Sequence, residues 1–485
     1  MEPVFLCFAV ASVVLGLFQP ALICALSLHS YNYESYFGGN EWIGALLITL
    51  TPAFAVIHLV IKKRLRLHAV DILFALFSAC FLMMVLRSSD PAVGPSQAST
   101  FVVAIAGLYL APRVFFGRTE SYKKFMILFV ISFVVQALLF STVAEPTIDG
   151  HLERTSIGDG NPVGFGLTLS TALCLTVFWM LSERQWPTRT LRILDWLLSA
   201  AAFAGLIHAA NSNGTRGIFV SVIGATVLFL AYRVWRRVAS RSLLLGFGGA
   251  LAVLVIVGGT IVGIGEFVAT LEPETVNDRL RHFVLSIANN ILPTEANEVT
   301  GDLSESREHI LGVVWDLIRE QPILGVGLNG VKMATVERVN EEAFAHNLIL
   351  EMWAEGGIVT LAVFVTMVGA ILLFGVRQTT EPRTAMPSTV FLGMATGALL
   401  HQQVSATLLF GKAAFVALGV LAAAEAVRAH RLSHHERKRT SRRHLKRRHR
   451  GRHPQVAVAT AVAVTPERPA TGPDDPAGAP GVPSR

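Results

Sequence analysis

Long apolar runs recur along this chain of 485 residues, and they restrict its fold more than any other feature. A helix needs about 20 consecutive apolar residues to cross the hydrocarbon core of a membrane. Only 15% of the residues are charged, so these runs are seldom interrupted. The pattern predicts an all-α polytopic membrane protein with about twelve transmembrane helices. The predicted spans are 4–27, 42–61, 69–86, 100–116, 125–144, 162–182, 191–210, 217–235, 243–265, 358–376, 387–409 and 411–429.

Basic residues are unevenly distributed among the segments between these runs, and the asymmetry predicts an orientation. Alternate segments are rich in Lys and Arg: Lys62 to Arg66, Arg118 to Lys124, Arg184 to Arg192, and Arg233 to Arg241. The intervening segments carry a single Arg87, Arg154 or Arg216, and 29–41 carries none. Cytoplasmic loops are the basic ones in membrane proteins. We therefore expect a multi-pass protein of the cytoplasmic membrane with both termini in the cytoplasm.

One segment between apolar runs is much longer than the others. About ninety residues separate the run that ends at Gly265 from the one that begins at Ile358, which is far beyond ordinary loop lengths. The spacing of apolar residues predicts an amphipathic helix over Ser306–Glu320. The expected organisation is a transmembrane bundle over 1–429, with a large, partly helical extracytoplasmic loop, 266–357, between spans nine and ten.

Positive charge is concentrated near the C-terminus. The chain has a net charge of +7, but Arg428 to His453 alone contains 12 Lys and Arg residues and one Glu, which leaves −4 for the remainder. Beyond Pro454 the sequence is rich in Ala, Pro, Val and Gly, which cannot form a packed core. We predict that 430–485 is a disordered cytoplasmic tail whose basic part binds anionic lipid headgroups. No aromatic interleaving accompanies the charges, so nucleic acid is not an expected partner.

Cysteine and acidic residues give no sign of a metal or cofactor site. All four cysteines lie within apolar runs and lack the spacing of metal ligands: Cys7, Cys24, Cys80 and Cys174. No Asp-x-Asp motif occurs in the segments predicted to face outward. The sequence predicts neither a metal nor a cofactor.

Arginines on the outward side need an explanation, because the topology rule does not account for them. Arg216 lies in the short segment Asn213–Gly217 between two spans, at the outer membrane boundary, where a desolvated cation is costly unless it meets an anion. Arg307 lies in the predicted loop helix, and Arg154 precedes Asn161-Pro162. For any one of them, the alternative is a solvated or snorkelling surface residue.

Several short motifs occur in a recognisable order in this part of the chain. They are Arg154 followed by Asn161-Pro162, Thr215-Arg216-Gly217, Arg307, Pro322 to Gly327, and His346-Asn347 with Leu350-Glu351 and Glu355-Gly356. In this combination and topology, residues 150–375 resemble the O-antigen ligase and O-antigen polymerase superfamily.

The resemblance implies a membrane-embedded glycosyltransferase of the metal-independent GT-C type, active in cell-surface polysaccharide assembly. Such enzymes move a glycan from a polyprenyl-diphosphate carrier to an acceptor hydroxyl on a glycan, lipid or protein at the outer membrane face. It implies that Arg216, Arg307 and His346 are catalytic. Three further residues are expected to bind substrate: Arg154, Asn347 and His401.

The chemistry of these residue types agrees with that reaction. Guanidinium groups are permanently charged and bind phosphate oxygens in a bidentate manner, which suits a departing diphosphate. An imidazole can accept the proton of the attacking hydroxyl near neutral pH. For His346 the alternative is a helix-cap or interface histidine, and His401 could instead bond a neighbouring helix.

Other residues are predicted to be structural. Gly325-x-Gly327-x-x-Gly330 has the spacing of a dinucleotide motif, but no βαβ unit surrounds it, so we interpret it as the turn that returns the loop to the membrane. Glu355 is also expected to be structural. Three acids near the inner helix ends are expected to pair locally: Asp71, Asp195 and Glu425.

Two other classes of function remain open from the sequence. A transporter or flippase of lipid-linked glycans would need similar spans, but it usually has internal repeats and a midplane binding site. A non-enzymatic scaffold for envelope assembly would use the loop for docking. Convergence of Arg216, Arg307 and His346 on one outward cavity would favour the enzyme.

Overall fold

The computed structural model is almost entirely helical. It describes residues 2–62, 67–88, 94–116, 119–149, 152–157, 162–182, 186–239, 301–339, 345, 347–403 and 411–451. The first helices are α1 (Glu2–Gly16), α2 (Pro20–Leu28), α3 (Ser30–Tyr36), α4 (Glu41–Lys62), α5 (Ala69–Leu86), α6 (Gly94–Thr100), α7 (Leu108–Phe115) and α8 (Thr119–Ser141), with a π-helical stretch, Phe101–Gly107, between α6 and α7. Strands β1 (Glu145–Asp149) and β2 (Leu152–Ser156) follow. The remaining helices are α9 (Pro162–Leu181), α10 (Arg189–Asn213), α11 (Arg216–Ala239), α12 (Gly301–Glu320), α13 (Gly330–Val339), α14 (Leu348–Gln378), α15 (Ala385–Gln402) and α16 (Lys412–Gly451).

Within the described residues, nine helices are long and apolar enough to cross a membrane. They correspond to predicted spans two to eight, ten and twelve, so these spans are confirmed as long apolar helices. The predicted span 243–265 lies outside the described residues, and α15 accounts for the described part of 387–409.

The first predicted span, 4–27, is wrong as a single helix. It consists of α1 and α2, which are separated at Leu17, Phe18 and Gln19. Pro20 is the first residue of α2, and Gln19 before it has φ −133° and ψ 83°. Proline disfavours helical geometry in the preceding residue, which explains the break.

A two-stranded antiparallel hairpin between α8 and α9 also departs from the all-α prediction. β1 pairs with β2, from Glu145 opposite Ser156 to Asp149 opposite Leu152. Glycine is common in the turns between hairpin strands, and Gly150 lies between β1 and β2 in the sequence. The search for long apolar runs does not detect such short, polar strands.

The centre of the bundle is formed by α9 and α16. In an apolar stretch of 18 residues, 72% of the residues of α9 and 83% of those of α16 are buried inside the protein. The corresponding share for α10 is 22%. Helix α9 packs against α10, α11 and α15.

Helix α14 changes direction at Gly357, which has φ 72° and ψ 177°. Residues 348–356 therefore belong to the predicted loop, and 358–378 correspond to the tenth span. Three backbone hydrogen bonds of 2.9 Å join the turn after α12 to this break: Ile358 to Pro322, Val326 to Ala354 and Gly327 to Glu355. The interpretation of Gly325 to Gly330 as a turn that returns the loop to the membrane agrees with this structure.

The basic segment after Arg428 differs from the predicted disordered tail. The chain divides into two compact units, Met1–Arg431 and Leu432–Arg485. In the second unit the described residues, as far as Gly451, are helical. Alanine, leucine, arginine and lysine favour helices, whereas Gly451 and Pro454 oppose continuation. Residues 452–485 lie outside the described part.

Candidate active site

Arg216 is the first residue of α11, directly after a turn that the surrounding structure holds firmly. Helix α10 ends at Asn213, and Gly214 has a left-handed conformation with φ 65°. The buried Asn213 amide nitrogen donates to the carbonyl oxygens of Thr155, at 2.8 Å, and Pro162, at 3.1 Å. The turn is therefore fixed both to β2 and to the start of α9. Its position between two spans with almost no loop agrees with the sequence.

The same hydrogen bonds bring the hairpin to this turn. Arg154 is the residue before Thr155 in β2, opposite Thr147. Its backbone thus lies beside Asn213, three residues before Arg216. Two predicted site residues that are far apart in the sequence, Arg154 and Arg216, therefore lie on backbone segments that are close together in the fold.

His401 lies near the end of α15 and is fully buried. Its imidazole faces the backbone of Gly217, the second residue of α11. Neither ring nitrogen makes a hydrogen bond of ordinary geometry with the described residues. The histidine is therefore placed beside the start of the helix that Arg216 begins.

The beginning of α14 contacts the end of α15, the helix that contains His401. Asn347 is its N-cap, and the side-chain oxygen accepts a 3.1 Å hydrogen bond from the amide of Leu350. The amide of Ile349 donates to the side-chain oxygen of Gln403, at 3.5 Å, two residues after His401. His346 itself lies outside the described residues, but Asn347 directly follows it.

The loop helix α12 packs onto α13 and the first part of α14. A cluster of buried apolar residues joins them: Ile310, Val313, Val314, Leu317, Ile318, Val331, Ala334, Ala345 and Ala354. Arg307 lies one helical turn before Ile310. The predicted amphipathic helix is confirmed, although it begins at Gly301 rather than Ser306. Its buried face is held near Ala345, beside the segment that contains His346.

Arg87, the lone basic residue of its segment, attaches the loop to α5. Its guanidinium donates to the carbonyl of Leu324, at 2.6 Å, and to the side-chain oxygen of Gln321, at 2.8 Å. The amide of Leu328 donates to the carbonyl of Met84, at 3.0 Å. Glu355 is buried and accepts a hydrogen bond from the amide of Val331. These contacts are structural, as expected for Glu355, and they fix the returning loop to the bundle.

Unsatisfied polar atoms gather around the start of α11. Asn213 Oδ1, Thr215 Oγ1 and both nitrogens of His401 are buried without a hydrogen-bond partner among the described residues. Buried polar atoms normally have a partner, either in the protein or in a bound molecule. This group lies where Asn213 meets Thr155 of β2 and where His401 faces the start of α11.

A second polar cluster was not anticipated from the sequence. The buried Asn32 amide donates to Thr168, at 3.1 Å, and contacts the His29 ring, at 3.2 Å. Lys412, the first residue of α16, lies 3.4 Å from the Ser30 hydroxyl. Burial raises the pKa of the nearby Glu34 carboxyl, and the charge of Lys412 opposes that shift. The sequence signal that could have identified this cluster is a lysine at the end of a predicted span that is expected to face outward.

Of the three acids predicted to pair locally, Asp71 and Glu425 have an ion pair with an arginine. Asp71 forms an ion pair with Arg113, and Glu425 forms one with Arg428. Asp195 instead accepts hydrogen bonds from the indoles of Trp179 and Trp186. Among the described residues, no group of three or more His, Cys, Asp or Glu side chains is arranged to hold a metal ion.

One family match bears on this site. Residues 200–365 match the family model described as O-antigen ligase. The match confirms the resemblance deduced from the motifs, and it contains Arg216, Arg307, His346 and Asn347. Arg154 and His401 lie outside it. A comparison with curated proteins found no match.

Proposed function

We propose that this chain, whose residues 200–365 carry the O-antigen ligase family domain, is a membrane glycosyltransferase of cell-surface polysaccharide assembly. It moves a glycan from a polyprenyl-diphosphate carrier to an acceptor hydroxyl on the outer face of the cytoplasmic membrane. The acceptor is a glycan, a lipid or a protein. The reaction uses neither a metal nor a cofactor.

The observation that carries this proposal is the group of unpartnered buried polar atoms at the start of α11. Asn213, Thr215 and His401 contribute them, and the arginine of the family motif begins the same helix. The sugar hydroxyls of a bound glycan, which both donate and accept hydrogen bonds, supply the missing partners. A mere structural junction would leave these groups buried at a cost of about 1–3 kcal/mol each.

In the proposed reaction, arginines stabilise the leaving group. As the glycosidic bond breaks, its electron pair moves to a diphosphate oxygen, and negative charge accumulates there. Arg216 and Arg307 bind this diphosphate, with Arg154 as a third contact. Fixed charges beside a low-dielectric membrane stabilise the developing anion more strongly than water does.

His346 prepares the acceptor. Its imidazole takes the proton of the acceptor hydroxyl while the hydroxyl oxygen forms the new bond to the anomeric carbon. Asn347 and His401 orient the sugar beside it. The hydrogen bond between Ile349 and Gln403 supports this assignment, because it brings the segment after His346 to the helix end that contains His401.

The test of the base is His346→Gln, which keeps hydrogen-bonding capacity without basicity. In a strain that lacks the gene, extracted polyprenyl-linked glycan is expected to accumulate, and the wild-type gene should reverse the accumulation. With His346→Gln the transfer rate should fall on the order of 10²–10⁴-fold at unchanged protein level. His309→Gln is the matched control, because His309 is an exposed histidine on the same loop.

Two results would contradict the proposal. If His346→Gln transfers glycan like the control, His346 is not the base. If the accumulated glycan faces the cytoplasm, and is therefore protected from a glycosidase added to spheroplasts, the chain is a flippase.

A further inference from the structure

A cavity of about 260 Å³ lies at the opposite face of the bundle from the candidate site. It is formed where α7 ends, α8 begins and the turn between α14 and α15 meets α16. These are helix ends that the charge pattern assigns to the cytoplasm. The volume is just below the roughly 300–1,000 Å³ of typical small-molecule pockets, so it suits a headgroup rather than a whole lipid.

The cavity combines arginines with an apolar wall. Arg383 comes from the α14–α15 turn, and Arg428 and Arg431 come from α16. Ala424 and Val427 lie on the same face of α16 as these arginines, since the spacing is three or four residues. Phe116, from the end of α7, extends the apolar wall.

The three arginines differ in whether carboxylates of the protein pair with them. Arg428 is paired with Glu425, at 2.7 Å, and with Glu381, at 3.2 Å, so its charge is neutralised within the protein. Arg383 and Arg431 form no ion pair with the described residues. The three arginines and the carboxylates of Glu381 and Glu425 leave a net charge of +1, and two of the guanidinium groups form no ion pair with the described residues.

We propose that this cavity binds the phosphate of an anionic phospholipid from the adjacent leaflet. Guanidinium groups bind phosphate oxygens in a bidentate manner. Basic pockets between membrane helices on the cytoplasmic side are suited to anionic headgroups. The position of the cavity favours a lipid phosphate over a free phosphate ion, because it lies at helix ends assigned to the cytoplasmic membrane face, where anionic headgroups are concentrated.

The test uses the full-length protein, delipidated and returned to mixed micelles that contain phosphatidylglycerol or phosphatidylcholine. The double variant Arg383→Gln, Arg431→Gln should bind phosphatidylglycerol roughly 30-fold more weakly than the wild type. The control Lys124→Gln, Arg377→Gln removes two exposed charges near the same face, outside the cavity, and should bind like the wild type. Inorganic phosphate at millimolar concentration should not displace the lipid.

Four outcomes would overturn the proposal. Equal losses in both double variants would indicate general surface charge. Displacement by inorganic phosphate, or equal binding of phosphatidylcholine, would show that the cavity does not select a lipid phosphate. If the glutamine variant fails to fold, Arg383→Lys, Arg431→Lys replaces it: it keeps both charges and should still lose affinity, whereas wild-type affinity would refute bidentate binding.

Discussion

Among single residues, Gly357 has the most demanding position in the described structure. Its φ and ψ, 72° and 177°, lie in a region that is essentially restricted to glycine. A Cβ atom there would lie 2.0 Å from the carbonyl oxygen of Ile323. The conformation lets the backbone of the returning loop reach the break in α14.

We therefore predict that Gly357→Ala lowers the free energy of unfolding by at least about 1–3 kcal/mol and exposes the loop to trypsin. Gly369→Ala is the control in the same helix, because a Cβ atom at Gly369 meets nothing within 4 Å. That change should stabilise the helix by roughly 0.5–1 kcal/mol. Thermal unfolding and limited proteolysis of the purified protein measure both effects. Similar behaviour of the two variants would refute the role of Gly357.

Single residues also show what sequence reasoning can and cannot find. The turn before Arg216 was predictable from the sequence. Two apolar runs with almost no residues between them require a tight turn, and Arg216 must lie at that turn. The role of Arg87 was not predictable, because its partners Gln321 and Leu324 are more than two hundred residues away and the contact depends on packing. The contact of Lys412 with Ser30 was not predictable either, because it joins residues 382 positions apart.

Between elements, a buried ion pair joins α5 to α7. Arg113 is 1% exposed, and it pairs with Asp71, which also accepts from the hydroxyl of Tyr109 at 3.0 Å. Removal of one member of such a pair leaves a buried, uncompensated charge.

Asp71→Asn should therefore destabilise the protein by about 3–5 kcal/mol. The exposed pair of Asp316 and Arg319 is the control, and Asp316→Asn should cost less than about 1 kcal/mol. Adding Arg113→Gln to Asp71→Asn should recover part of the loss, as a double-mutant cycle of thermal stabilities would show. Additive losses would mean that the two residues are not coupled.

Helices were predicted correctly where the length of an apolar run was enough to identify them. Nine spans are long apolar helices because the membrane imposes one length on all of them. The break before Pro20, the β1–β2 hairpin and the helical segment up to Gly451 depend on local conformational preference instead. Those preferences were legible in Pro20 and in Gly150, but hydropathy does not record them.

For the whole molecule, orientation is the property that every functional assignment depends on. We predict that a cysteine placed at Glu337, exposed on α13, reacts with a membrane-impermeant maleimide in intact cells. A cysteine at Lys124, exposed near the start of α8, should react only after permeabilisation. Both substitutions are made in a background whose four native cysteines are alanine. The opposite labelling pattern would place the proposed active site in the cytoplasm.

The segment 348–356 has a mechanical consequence for the same molecule. One end is bonded, through the Pro322–Gly327 turn, to the end of α5, and the other is bonded through Ile349 to the end of α15. A nine-residue helix is a stiff rod about 13 Å long. It acts as a strut that sets the separation of those two membrane helices. The gap between those two helix ends therefore cannot widen unless the hydrogen bonds at one end of this segment break.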